Sequence, residues 1–173
     1  RRWAGHSIMA KPTIPVARAD ERAIVMTRIL DAPRELVYAA WTDPQHMAQW
    51  WGPHGFANPV CELDVRPGGT WRIVMQGPDG AKVPVGGEYL EVVPPERLVY
   101  TAMVDEAVGR GWEHGPPPPA IHIILFEALG AKTKLTVVTQ LETVADRDRI
   151  AKMGHEAGMG QSLERLAALL AVR

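Results

Sequence analysis

The chain has 173 residues, with 19 basic and 20 acidic side chains for a formal net charge of −1, one cysteine and six tryptophans. A domain of this length buries about 70 % of its unfolded surface, so one domain with a full hydrophobic core is expected. Interspersed, near-neutral charge leaves no footprint for nucleic acid or an anionic membrane, and the lone Cys61, read as a small buried hydrophobe, excludes an internal disulfide framework and a CxxC metal site.

Residues 1–22 are rich in Pro, Ala and charge without periodicity and read as a flexible arm, with the domain expected over 23–173. Residues 1–8 precede Met9, lack a signal-peptide core and read as an upstream extension; no apolar segment follows Arg1-Arg2, which sets aside an export signal. The longest apolar run, Ile121 to Phe126, falls far short of the roughly 18 residues that span a bilayer, and a cytoplasmic protein is expected.

Ala23 to Leu30 predicts a strand, which Asp31-Ala32-Pro33 ends, with Asp31 or Ala32 as cap and Pro33 in the first turn of a helix. Leu36, Val37, Ala40 and Trp41 recur at helical spacing, and Asp43-Pro44 starts a second short helix with Asp43 as N-cap. That helix carries Trp50 and Trp51 into Gly52-Pro53, which forces the chain out of the helix. Each indole buries roughly 150 to 250 Å², so Trp41, Trp50 and Trp51 together hold more apolar surface than one short helix can hide. One of the adjacent pair is expected to plug the core and the other to face a pocket mouth.

Strands follow at Val60 to Val65, Thr70 to Gln76, Val83 to Val93, Arg97 to Met103, Ala120 to Ala128 and Lys134 to Leu141, separated by Gly- and Pro-rich turns. Short turns argue for an antiparallel meander. On the second of these, Trp71, Ile73 and Met75 share the face expected to look inward, while Gly86-Gly87 marks a bulge or bend. The one long connection, Val104 to Pro119, contains Trp112 and four consecutive prolines, and reads either as a lid or partner contact or as a solvated loop stiffened by its prolines. A long helix is expected over Ala145 to Val172, with Thr143 and Asp146 as a capping pair. Its apolar phase slips at Gly154, Gly158 and Gly160, so it is either one softened helix or two.

The segment Ala32-Pro33-Arg34-Glu35-Leu36-Val37-Tyr38-Ala39-Ala40-Trp41-Thr42-Asp43-Pro44, then Trp50-Trp51-Gly52-Pro53, resembles the START-like (SRPBCC) superfamily, in the branch homologous to the C-terminal domain of the activator of heat-shock protein 90 ATPase. The resemblance continues through Val65-Arg66-Pro67-Gly68-Gly69-Thr70-Trp71-Arg72, Gly87-Glu88-Tyr89, Pro94-Pro95-Glu96-Arg97-Leu98-Val99-Tyr100 and Gln161-Ser162-Leu163-Glu164-Arg165-Leu166, spanning about residues 23–171. It implies an α+β helix-grip fold, with a curved antiparallel sheet of about seven strands around a long C-terminal helix, two short helices after the first strand, and a deep cavity between sheet and helix. Many relatives carry tryptophan after the glycine of the last helix; Gly158-Met159 puts a flexible thioether there instead.

Cavity walls are expected from Trp41, Trp50, Trp51 and Trp71, with Tyr89, Tyr100, Met153 and Met159. Of the histidines, His46 lies on a helix, His54 and His114 in loops, and His122 on a strand, where alternation with Ile121, Ile123 and Leu125 points it outward. No metal-ligand spacing, nucleophile elbow or phosphate loop is present, so no metal or cofactor is expected. If Tyr89 points inward then so does Glu91, which would need Arg72 or Arg97 as partner, although an outward salt bridge across strands is the commoner outcome. Three functions follow: binding of a small hydrophobic or aromatic molecule; a polyketide cyclase/aromatase-like or hydrolytic enzyme using Glu88 or Glu91 with Tyr89, Tyr100 or His122; or a chaperone ATPase co-factor, ranked last. Sheet edges and the odd-facing Ile150 and Met153 suggest a homodimer.

Overall fold

The computed structural model describes residues 21–105 and 116–172. Seven strands form one antiparallel sheet: β1 (Ala23–Leu30), β2 (Ala57–Leu63), β3 (Thr70–Gln76), β4 (Lys82–Val93), β5 (Arg97–Val104), β6 (Ala120–Leu129) and β7 (Lys132–Gln140). Strands β2 to β7 run as a meander and β1 closes onto β7, giving the order β1-β7-β6-β5-β4-β3-β2. The helices are α1 (Arg34–Thr42), α2 (Pro44–Trp50), α3 (Val144–Lys152) and α4 (His155–Ala171). Trp112 and His114 in the long connection, and residues 1–20 of the arm expected over 1–22, lie outside the described residues.

Local signals set most boundaries. Asp43 caps α2 by accepting from the Gln45 amide at 2.9 Å, and Thr143 caps α3 by accepting from the Asp146 amide at 3.0 Å. Pro33, in extended geometry, is itself the N-cap of α1 and makes no side-chain cap bond, one position later than Ala32 and two later than Asp31. Leu36 falls off the buried stripe of α1 and is exposed, while Val37, Ala40 and Trp41 are buried.

The C-terminal segment is two helices rather than one. Met153 ends α3, and Gly154 takes a left-handed φ of 88° before α4 begins, a conformation that a side chain makes costly. Each helix therefore has its own phase. Leu163, Leu166 and Leu170 of α4 pack on the main core, and Ile150 of α3 packs against Ile24, Met26, Ala120 and Leu141. Ile150 and Met153, read from the sequence as an odd-facing patch, both turn inward, which removes that argument for a dimer face.

The sheet is buried on both sides at its centre. Register places Leu98, Tyr100, Ile124 and Phe126 on the face turned to α1, α2 and α4, where they share a core with Trp41, Trp50 and Trp71. The opposite face carries a second cluster of Ala23, Val99, Ile121, Ile123 and Val138. Register slips by one residue between Tyr89 and Glu91 on β4, the signature of a bulge. Tyr89 consequently faces the helices while Glu91 faces away and pairs with Arg97 at 3.2 Å. Gly86 and Gly87 keep their register, so the bulge lies just beyond them.

Candidate functional site

A cavity of about 330 Å³ lies between the sheet and the α3–α4 segment. Apolar side chains of β3, β4 and β5 form one wall, while Met153, Gly158 and Met159 form the other. Gly158 has no side chain, and a Cβ there would meet only Pro53, so α4 passes close without filling the space. Pro117 and Pro118 close one end, held by the Arg149 guanidinium, which donates to the Pro116 carbonyl at 2.8 Å.

Four of the eight wall residues expected from the sequence, Trp51, Trp71, Met153 and Met159, line this cavity. Trp41, Tyr89 and Tyr100 instead border a separate void of about 10 Å³, which Trp51 and Trp71 divide from the main one. The Tyr100 hydroxyl and Trp41 indole N–H find no hydrogen-bond partner among the described residues. Trp50 borders neither space: it is fully buried and donates its indole N–H to the Ala40 carbonyl at 2.9 Å. The adjacent pair thus divides as expected, one into core and one into the cavity wall.

Trp51 and Trp71 are fixed by backbone acceptors and close approaches. The Arg165 guanidinium on α4 donates to the carbonyls of Trp51, Gly52, Pro53 and Gln49 at 2.8 to 3.1 Å, tying the end of α2 to the helix that roofs the cavity. The Trp71 indole N–H donates to the Thr101 carbonyl at 2.9 Å across β4. Its cross-strand partner there is Gly87, where any Cβ would collide with that same carbonyl, so glycine is what lets the indole cross. Edge-to-face contacts then run from Trp51 to Trp71 at 5.9 Å and from Trp71 to Tyr100 at 5.4 Å.

His122 does not point outward. The alternation along β6 is as expected, but Ile121 and Ile123 are the residues that face away from the helices, into the second cluster. His122 is 8 % exposed, lines the cavity and stacks on Tyr100 at 5.3 Å between centroids. Its Nδ1 lies 3.3 Å from Thr139 Oγ1, which lies 3.2 Å from Nε2 of His155. Burial, reinforced by His155, pushes the His122 pKa down to about 3, and burial lowers that of His155 as well, so both rings are neutral near pH 7.

Thr139 and His155, neither singled out in the sequence, join the lining, as does Ser162, which has no sequence context of an activated nucleophile. The available signal for His155 was its place directly after Gly154, the first of the glycines at which the apolar phase of the C-terminal segment slips. The carboxylates considered for catalysis are elsewhere: Glu91 is paired with Arg97, and Glu88, opposite Thr70, lies between inward-facing Gly87 and Tyr89 on the other side of β4. Among the described residues no cluster of His, Cys, Asp or Glu could hold a metal ion, and no helix is long and apolar enough to cross a membrane.

The chain belongs to the family described as Activator of Hsp90 ATPase homolog 1-like protein, whose profile matches residues 31–171. It is similar to a solved protein from Chromobacterium violaceum, at 35% identity over 86% of this chain and 96% of that one, with a TM-score of 0.70. A protein from Nitrosomonas europaea is similar at 28% identity, 89% and 97% coverage and a TM-score of 0.77. One from Silicibacter pomeroyi, which bears the family's name, matches at 26% identity, 87% and 98% coverage and a TM-score of 0.71. No curated protein matches the chain.

Proposed function

We propose that this protein binds a small, largely apolar molecule in the cavity between the sheet and the α3–α4 segment, using His122 as its polar anchor. The observation that carries this reading is an apolar space of about 330 Å³ with a buried imidazole on its floor. Ligand sites pair mostly apolar walls with a few placed polar groups, and this volume suits a one- or two-ring compound. Membership of a family built on a ligand-binding fold supports it.

The test is a thermal-shift and tryptophan-fluorescence screen with small aromatic and acyl compounds. A ligand at a hundredfold its dissociation constant should stabilise the fold by about 2.7 kcal/mol. Trp51→Phe should reduce the fluorescence response, because Trp51 lines the cavity whereas Trp50 does not. Absence of any stabilising compound, or an unchanged response in Trp51→Phe, contradicts the reading.

One observation favours a second reading, an enzyme of cyclase or hydrolase type: the hydrogen-bonded row of His122, Thr139 and His155 beside the cavity. Such an enzyme would use imidazole chemistry, since Glu88 and Glu91 face away from the cavity. Turnover that survives His122→Gln unchanged rejects it.

A further inference from the structure

We propose that His122, Thr139 and His155 form a proton relay from the α3–α4 turn to the cavity, serving a small apolar ligand with one exchangeable oxygen, a phenol or an enol. The ligand class rests on the cavity reading above; the relay rests on geometry alone.

Register places His122 of β6 directly beside Thr139 of β7 on the face turned to the helices, and α4 brings its first residue, His155, over the pair. The Thr139 hydroxyl lies 3.3 Å from His122 Nδ1 and 3.2 Å from His155 Nε2. The two rings are tilted at 37° with centroids 6.5 Å apart, so the hydroxyl bridges them. It has no third partner among the described residues, and Thr139 is only 1 % exposed.

A hydroxyl has one proton to give and lone pairs to receive. With both contacts made and that proton used, Thr139 donates to one ring and accepts from the other. Two arrangements satisfy this. In the first, Thr139 donates to His122 Nδ1 and accepts from His155 Nε2–H, so both rings carry their proton on Nε2. In the second, Thr139 donates to His155 Nε2 and accepts from His122 Nδ1–H, so both carry it on Nδ1. Were both rings to donate to Thr139, its own hydroxyl proton would be buried without an acceptor, which is costly.

Interconversion of the two arrangements moves a proton. Toward the ligand, its oxyanion takes the proton from His122 Nε2, His122 Nδ1 takes the Thr139 hydroxyl proton, Thr139 takes the proton from His155 Nε2, and His155 Nδ1 takes one from water. The net change is one proton from water to ligand, and each ring ends neutral in its other tautomer. The reverse sequence deprotonates the ligand. A buried imidazole resists becoming a cation, and the relay avoids that state by moving protons in concert. Its surroundings fit: Tyr100 on β5 stacks under His122 with its phenol kept protonated by burial, and Glu156, next to the half-buried His155, favours protons arriving there.

The test reads the imidazole nitrogens by ¹⁵N NMR of ligand-free protein near pH 7.5, in wild type, Thr139→Val and Thr139→Ser. The relay requires His122 and His155 to share one tautomer or one mixture in wild type, to lose that match in Thr139→Val, and to regain it in Thr139→Ser. Opposite tautomers in wild type, or a match that survives in Thr139→Val, overturn it. A urea midpoint for each variant confirms folding. The ligand class is tested with phenol against toluene: phenol should bind about tenfold more tightly in wild type and in Thr139→Ser, with the advantage lost in His122→Leu. Equal binding of the two overturns the ligand class, while failure of both to bind overturns the cavity reading with it; in either case the tautomers read by NMR still decide the relay.

Discussion

Lowering the pH should unfold this protein through His122. In the unfolded chain its imidazole titrates near 6.5, whereas in the fold burial and the neighbouring His155 hold it down at about 3. Below pH 6.5 the unfolded state therefore takes up a proton that the native state refuses. Stability is fully present above that value and falls by about 1.4 kcal/mol per pH unit until the folded pKa is reached. Between about pH 7.5 and pH 5, His122 alone should cost about 2 kcal/mol. At 8 % exposure its site is dry enough that solvent screening takes little from that figure. His155, also lowered by burial, acts in the same direction. The assay is urea unfolding of wild type and His122→Gln at both pH values. Glutamine can still bond Thr139 but does not titrate, so the other titrating groups shared by the two proteins cancel in the comparison. Wild type should lose about 2 kcal/mol more than the variant. An equal loss in both would mean that His122 is hydrated or charged in the fold, and would refute the neutral, buried imidazole.

Other substitutions test the scaffold around the cavity. Trp50→Ala should destabilise by about 3 to 5 kcal/mol in urea melts, because a fully buried indole and its bond to the Ala40 carbonyl are both lost. Gly87→Ala should cost about 1 to 3 kcal/mol, since its Cβ meets the Thr101 carbonyl backbone and cannot be relieved by a side-chain rotation; near-wild-type stability would refute that close approach. Arg165→Met should lower stability by about 2 kcal/mol and shift tryptophan emission, as the carbonyls around Trp51 lose their charged donor. Cys61, half-buried with its thiol pKa pushed up to about 11 by burial and nearby carboxylates, should react with iodoacetamide at pH 8 on the order of a hundredfold more slowly than an unperturbed thiol.

The strands and the caps were legible because their signals are local. Alternation and turn residues placed β3 over Thr70–Gln76, and Asp43 and Thr143 each met the amide that their position predicted. The tryptophans were legible as a group and the adjacent pair as divided between core and pocket, yet which of the two goes where was not. Trp50 and Trp51 are neighbours of identical chemistry, and only the end of α2, pinned by Arg165, sends one into the core and the other to the cavity. Arg165 lies 114 positions from Trp51, a separation that periodicity cannot bridge.

The polar floor escaped for a more general reason. Period-two alternation states which residues share a face but not which face is inside. Assigning the inside to the more apolar set works for a sheet wet on one side. Here β6 is central and buried on both sides, so its more apolar set, Ile121 and Ile123, belongs to the second cluster, and the set containing His122 lines the cavity. On β4 it was parity itself that broke: the single residue inserted at the bulge sends Glu91 to the face of Val99 while Tyr89 stays opposite Tyr100, so an inward Tyr89 does not bring Glu91 with it and the commoner arrangement, an outward salt bridge, forms with Arg97. His122 and Glu91 both bear on the same inner surface, where an imidazole takes the place a carboxylate would have held. That exchange changes the chemistry available. A carboxylate in such a site would need a countercharge, whereas a neutral imidazole bridged through Thr139 can offer a ligand either a donor or an acceptor without placing any charge in the cavity.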